Sequence, residues 1–146
     1  MAVKILPDKI QNLQQIEAVV AGPDDANRLF IIDGQIDTAF SAKSTGNDLN
    51  PVSKKELFTV LVGPVFKKRQ FLQANAIASV AKVELAPGEM GGTAAWRILS
   101  VDADWDDESG QVELRIETWA ECFGQESVSI HGFAFHVTIL AAVAAT

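Results

Sequence analysis

Polarity alternates residue by residue through most of Ala94–Ala141, and this period of two constrains the fold more than any other feature of the chain. Successive side chains of a strand point to opposite faces, so sustained alternation marks half-buried strands and argues against amphipathic helices. In Ala94–Trp105, Leu99, Val101, Ala103 and Trp105 share one face, and Arg97 shares their parity near the start. Trp96, Ile98, Ser100, Asp102 and Asp104 share the other. In Gln111–Cys122, Val112, Leu114, Ile116, Thr118, Ala120 and Cys122 oppose Glu113, Arg115, Glu117, Trp119 and Glu121. Asp106-Asp107-Glu108-Ser109-Gly110, between these runs, has the composition of a hairpin loop. A third run, Ser127–Ala141, is apolar on both faces toward its end. That pattern belongs to a central strand, or to one covered by another subunit.

Residues on one face of a strand pair only with residues on the same face of its neighbour. Matching apolar to apolar sets Trp105 opposite Val112, Ala103 opposite Leu114 and Val101 opposite Ile116. Asp104 then faces Glu113, and Asp102 faces Arg115. Carried across Phe123-Gly124-Gln125-Glu126, the same rule pairs Leu114 with Phe135, Ile116 with Phe133 and Glu113 with His136. The expectation is a C-terminal three-strand meander with an outer polar row Asp104–Glu113–His136.

Earlier in the chain, Asp8–Val20 places Ile10, Leu13, Ile16 and Val20 at helical spacing behind Pro7, which suits a helix start. Asp33-Gly34 between two apolar runs signals a tight hairpin, because a type I′ turn needs positive φ at both central residues. Gly22–Asp25, Ser41–Pro51 and Pro87–Gly92 read as loops. Ser53-Lys54-Lys55-Glu56 fits a capping box, yet the β-branched run Leu57–Val62 fits a strand equally well. Ile77–Leu85 alternates again and reads as a strand.

A chain of 146 residues is long enough for a core of its own and is expected to form a single domain over 1–146. The net charge of −7 argues against nucleic acid and anionic membrane as partners. The single cysteine, Cys122, excludes an intrachain disulfide and falls on the apolar face. Met1–Pro7 lacks the basic and apolar segments of a secretory signal, and the apolar run Gly132–Thr146 is shorter than the roughly 20 residues a spanning helix needs. The expected compartment is the cytoplasm, with no cofactor.

Two sets of residues are candidates for chemistry. Asp102, Asp104, Asp106 and Glu113 occupy the first, third, fifth and twelfth positions of a calcium-loop spacing. Asp107 stands where the sixth-position glycine belongs, and the flanks are strands, so a looser metal site at the hairpin is the stronger version. The row Asp104, Glu113 and His136 could bind a ligand, with Trp96 and Trp119 beside it on the outer face to stack on a sugar. Two facing carboxylates repel, so Arg115, water or a cation must offset them. His131 and His136 are separated by an odd step, which puts His131 on the core face beside Thr118. Lys67-Lys68-Arg69 reads as a solvated basic cluster. No nucleophile, base and oxyanion arrangement emerges, and a hydrolase or isomerase built on the carboxylates is a minor reading.

The fold expected is mainly β, an antiparallel β-sandwich or flattened barrel with one or two short helices. Its core should contain Leu99, Val101, Val112, Leu114, Ile116, Phe133, Phe135, Val137 and Ile139. The leading functional expectation is a non-enzymatic structural or interaction module that forms a homo-oligomer. Its interface would use part of Phe133–Val143 or the Trp96/Trp119 face. The alternative is a protein that binds a small ligand, a carbohydrate or a divalent cation, through Asp104, Glu113, His136, Trp96 and Trp119.

Overall fold

The computed structural model describes residues 2–20, 27–44, 51–86, 92–124 and 127–142. The expected loop Gly22–Asp25, all of Pro87–Gly92 but Gly92, and most of Ser41–Pro51 lie outside the described residues. The strands are β1 (Ala2–Lys4), β2 (Ile10–Val20), β3 (Asn27–Lys43), β4 (Val52–Val62), β5 (Phe71–Val80), β6 (Val83–Ala86), β7 (Thr93–Trp105), β8 (Val112–Phe123) and β9 (Ser127–Ala142). Short 3-10 turns at Pro7–Lys9 and Lys68–Gln70 are the only helical elements among the described residues. Two sheets pack face to face. Sheet A has the order β1-β4-β8-β7, and sheet B the order β2-β3-β9-β5, with β6 also on β9. This is the mainly-β sandwich the alternation implies. No hydrogen-bonded closure makes it a barrel among the described strands.

The β7–β8 register is the one derived from matching faces. Trp105 pairs with Val112, Ala103 with Leu114, Val101 with Ile116, Asp104 with Glu113 and Asp102 with Arg115. The third strand of the meander is not where the matching rule put it. β8 lies between β4 and β7, whereas β9 lies between β3 and the β5/β6 pair in the other sheet. Apolar faces match equally well side by side in one sheet or across the core between two, and polarity alone does not separate these cases. The two-sided apolarity of β9 instead reflects its central position in sheet B. Val112, Leu114, Ile116, Phe133, Phe135, Val137 and Ile139 are all buried, as expected. Leu99 and Val101 are only half-buried, because β7 is an edge strand. The first half of the chain adds Phe30, Ile32, Ile36 and Phe40 from β3 and Phe58, Val60 and Val62 from β4.

Three local expectations give way to strand pairing. Ile10–Val20 is a strand bonded to β3, not a helix. Its near-helical apolar spacing comes from an irregularity between Gln11 and Gln14, where Asn12 has φ of +54° and the alternation resets. Asp33-Gly34 is no hairpin, because β3 runs straight through it, pairing Asp33 with His136 and Gly34 with Phe135. The glycine is needed for space, since a Cβ there would stand 2.8 Å from Cζ of Phe135. Residues following Ser53 form β4, paired along its whole length with β8. Here the β-branched run outweighs the capping box.

Candidate functional site

A cleft of about 740 Å3 opens at one end of the sandwich. One wall is the segment from Lys4 to Leu13, which brings Leu6, Pro7, Ile10 and Leu13. The floor is the last part of β4, Thr59–Val62, and the other wall is the β7–β8 hairpin with Asp106, Glu108, Ser109, Gln111 and Glu113. The hairpin is held in place from both sides. The Gln111 side-chain amide donates to the Gly63 carbonyl at 2.7 Å, and the Phe66 backbone N–H donates to the Gly110 carbonyl at 2.9 Å. The Trp105 indole N–H donates to the Phe66 carbonyl at 3.1 Å. Within the turn, Asp106 accepts from the Ser109 hydroxyl at 2.6 Å and from the Ser109 N–H at 3.0 Å. These bonds to Ser109, with Lys4 a weaker contributor, hold the Asp106 carboxyl below the usual aspartate range.

The calcium-spacing residues do not converge on one point. Asp102 and Asp104 project from the outer face of β7, opposite Arg115 and Glu113. Asp104 accepts from the Trp105 N–H at 2.8 Å, and Asp106 is engaged by Ser109. Arg115 supplies the offset that the facing carboxylates need, lying 3.4 Å from Glu113. Among the described residues, no group of three or more histidines, cysteines or acids is arranged to hold a metal ion.

The proposed polar row is divided between the sheets. Asp104 and Glu113 lie on the outer face of sheet A, while His136 lies on the outer face of sheet B. There His136 Nδ1 meets Asp33 Oδ1 of β3 at 2.6 Å, a partner the alternation of the last third could not reveal. The two tryptophans are also separated. Trp96 pairs with Ala120 and Arg97 with Trp119, so Trp96 shares the inner face and Trp119 the outer. A bulge between Ile98 and Ser100 swaps the parity of β7, so counting alternation from Trp105 back to Trp96 fails. Arg97 stacks over the Trp119 ring at 5.2 Å. Comparison with known family models, curated proteins and solved structures returns no match.

His131 is likewise on the outside, 3.3 Å from Glu84, and not beside Thr118. The cause is Gly132, with φ of +81°, where β9 takes one residue fewer than β3 to cover the same length. Gly132 and Phe133 are both buried, so the inward residues change from even to odd numbers and both histidines face out. A Cβ at Gly132 would lie 2.5 Å from the Ile36 carbonyl oxygen. Glu84 is held below the usual glutamate range by Lys82, 2.9 Å away, with His131 adding to the effect. Thr118 is fully buried, and its hydroxyl has no hydrogen-bond partner among the described residues.

Beyond these residues, the outer face of sheet B mixes aliphatic and polar side chains over β2, β3, β9 and β5. One row across it is Ile16, Ile31, Thr138 and Asn75, and the next is Ala18, Leu29, Leu140 and Gln73. On the other side of the first row stand Gln14, Asp33, His136 and Ile77. Ile16 is 60% exposed and Ile77 is 68% exposed. The Asp33–His136 pair supplies the only ionisable groups in these three rows. Sequence reading reached this face through β9 and through Ile77 of a segment read as a strand, whereas β2 and β3 come from segments read as a helix and a hairpin.

Proposed function

We propose that the chain is a non-enzymatic interaction module that self-associates through sheet B. The observation that carries this reading is the outer face just described, where Ile16, Ile31, Ala18, Leu29, Leu140 and Ile77 stand among uncharged polar residues and the Asp33–His136 contact, with Ile16 and Ile77 left exposed. Burying apolar area yields about 25 cal/mol per Å2, so covering the exposed Ile16 and Ile77 favours association. The outward residues of β9, including Ala134, His136, Thr138 and Leu140, fall within the expected interface segment Phe133–Val143. Sedimentation velocity tests the reading. A dimer or higher species is expected at protein concentrations on the order of tens of micromolar. A monomer at that concentration would remove the reading.

The second reading, a small-ligand protein, draws on the cleft at the hairpin. That cleft puts Asp106 and Glu113 opposite Leu6, Pro7 and Leu13, so it suits a ligand with an apolar body and a cationic end. Thermal-shift titration with organic amines tests it. A rise in melting temperature that Glu113→Gln diminishes is expected, and a flat response across such a series counts against it.

A further inference from the structure

We propose that β2 pairs antiparallel with β2 of a second copy of the chain, about a two-fold axis at Ile16. This rests on the self-association reading and names its partner strand and register.

β2 is the terminal strand of sheet B, and among the described residues it bonds only to β3. Its other edge presents unpaired backbone N–H and C=O groups, whose natural complement is another extended strand. Proteins usually block such an edge with lysine, proline, a bulge or a short strand. The other edges here have blocks or covers. β5 packs against β7 on one flank, and the β4 edge beyond short β1 carries Lys54 and Lys55. β2 is eleven residues long and contains no lysine, arginine or proline. Its sole charge is Glu17, which meets the Arg28 guanidinium at 3.4 Å. The irregularity at Asn12 blunts only the first part, leaving Gln14–Val20 regular.

The side chains are complementary to their own copy in one register. With Ile16 opposite Ile16 of the second copy, Gln14 faces Ala18 and Gln15 faces Glu17, so an amide meets a carboxylate. The adjacent register centred on Glu17 would set two like charges directly opposite each other, which destabilises a strand pair. A shift by one residue would set the outward Ile16 against the inward Glu17, breaking the match of faces. Exposure fits as well. Leu13 is 54% exposed, Ile16 60% and Val19 58%, on a strand with neither face covered. Pairing makes one continuous sheet through both copies; it sets their outer faces side by side without covering them, and what it satisfies is the free edge of β2. A β2–β2 contact uses the free edge of each copy, so the assembly closes as a symmetric dimer.

Cross-linking with sedimentation tests this. Cys122 is 1% exposed, so an introduced surface cysteine is the reactive thiol. Ile16→Cys sits on the two-fold axis at cross-strand spacing and is expected to oxidise to a disulfide dimer with high yield. Ala18→Cys alone would lie about 13 Å from its copy along the strands and is expected not to cross-link. Ile16→Lys, at an exposed position, is expected to keep the wild-type circular dichroism spectrum while weakening the dimer at least about a hundredfold. A dimer that survives Ile16→Lys, or that cross-links through Ala18→Cys but not Ile16→Cys, overturns the proposed pairing and leaves self-association through another surface. A wild-type monomer overturns both.

Discussion

The two sheets share a core yet turn opposite kinds of surface outward. Across sheet A one outer row reads Lys4, Thr59, Arg115 and Asp102, and the next brings Leu61, Glu113 and Asp104. Charged side chains of both signs stand there. Across sheet B the corresponding rows set Ile16, Ile31, Leu29, Leu140 and Ile77 among Thr138, Asn75, Gln73 and Gln14, with Asp33 and His136 their only ionisable groups. Inward positions are equally apolar in both sheets, so the core does not explain the difference. A charged outer face is complete when water covers it, because each ionised group is hydrated. An aliphatic face gains free energy only when something excludes water from it. The difference is the basis of the proposed self-association through sheet B.

The comparison assumes inner faces of equal weight, and that is where the largest effects should be found. Leu114 of sheet A and Ile139 of sheet B are both fully buried. Leu114→Ala and Ile139→Ala are each expected to cost about 2–5 kcal/mol in chemical denaturation, as truncations in a closed core do. A cost near zero for one of them would mean that the sheets do not share one core. Gly132→Ala probes the bulge that points His131 outward on sheet B. It forces a side chain into a left-handed conformation and against the Ile36 carbonyl, so a loss of about 1–3 kcal/mol or more is expected. An alanine variant as stable as the parent would show that the bulge is not required and that the parity of β9 is free to slip.

How legible these two faces were in the sequence depended on bulges. Where β7 and β8 alternate without interruption, from Val101 to Trp105 and from Val112 to Ile116, face matching recovered each pairing. Beyond Ile98 the same count put Trp96 on the wrong face, and beyond Gly132 it put His131 in the core. A bulge shifts parity by one residue and leaves only a weak trace in composition, such as the glycine at 132. The meander failed for a different reason, because polarity records which face of a strand is buried and not which sheet holds the strand. Asp33 escaped notice because Asp-Gly carries a strong local turn signal. Pairing of β3 with both β2 and β9 overrides that signal, and the ring of Phe135 accounts for the glycine. The polar row therefore lost its histidine to a partner more than a hundred residues away in sequence, |i−j| = 103.

The smallest effects test the outer faces themselves. Asp33–His136 stands among uncharged side chains of sheet B, whereas Glu113–Arg115 stands beside Asp102 and Asp104 on sheet A. Both pairs are substantially solvent-exposed, so each should contribute within about 0.2–1 kcal/mol. Asp33→Asn, with the shorter contact and fewer substitutes, is expected near the top of that range, and Arg115→Gln near the bottom. Equal costs from urea denaturation would mean that the two faces are electrostatically alike. Arg115 also bears on the idea of a cation site. The guanidinium already offsets the facing carboxylates Asp104 and Glu113, so millimolar calcium is expected to leave the wild-type melting temperature unchanged. With Arg115→Gln the repulsion between opposite carboxylates is exposed. Calcium should then raise the melting temperature slightly, and the double substitution with Glu113→Gln should abolish the response. A calcium response in the wild type would show that the guanidinium leaves the acidic pair free, and would make this edge of sheet A a cation site.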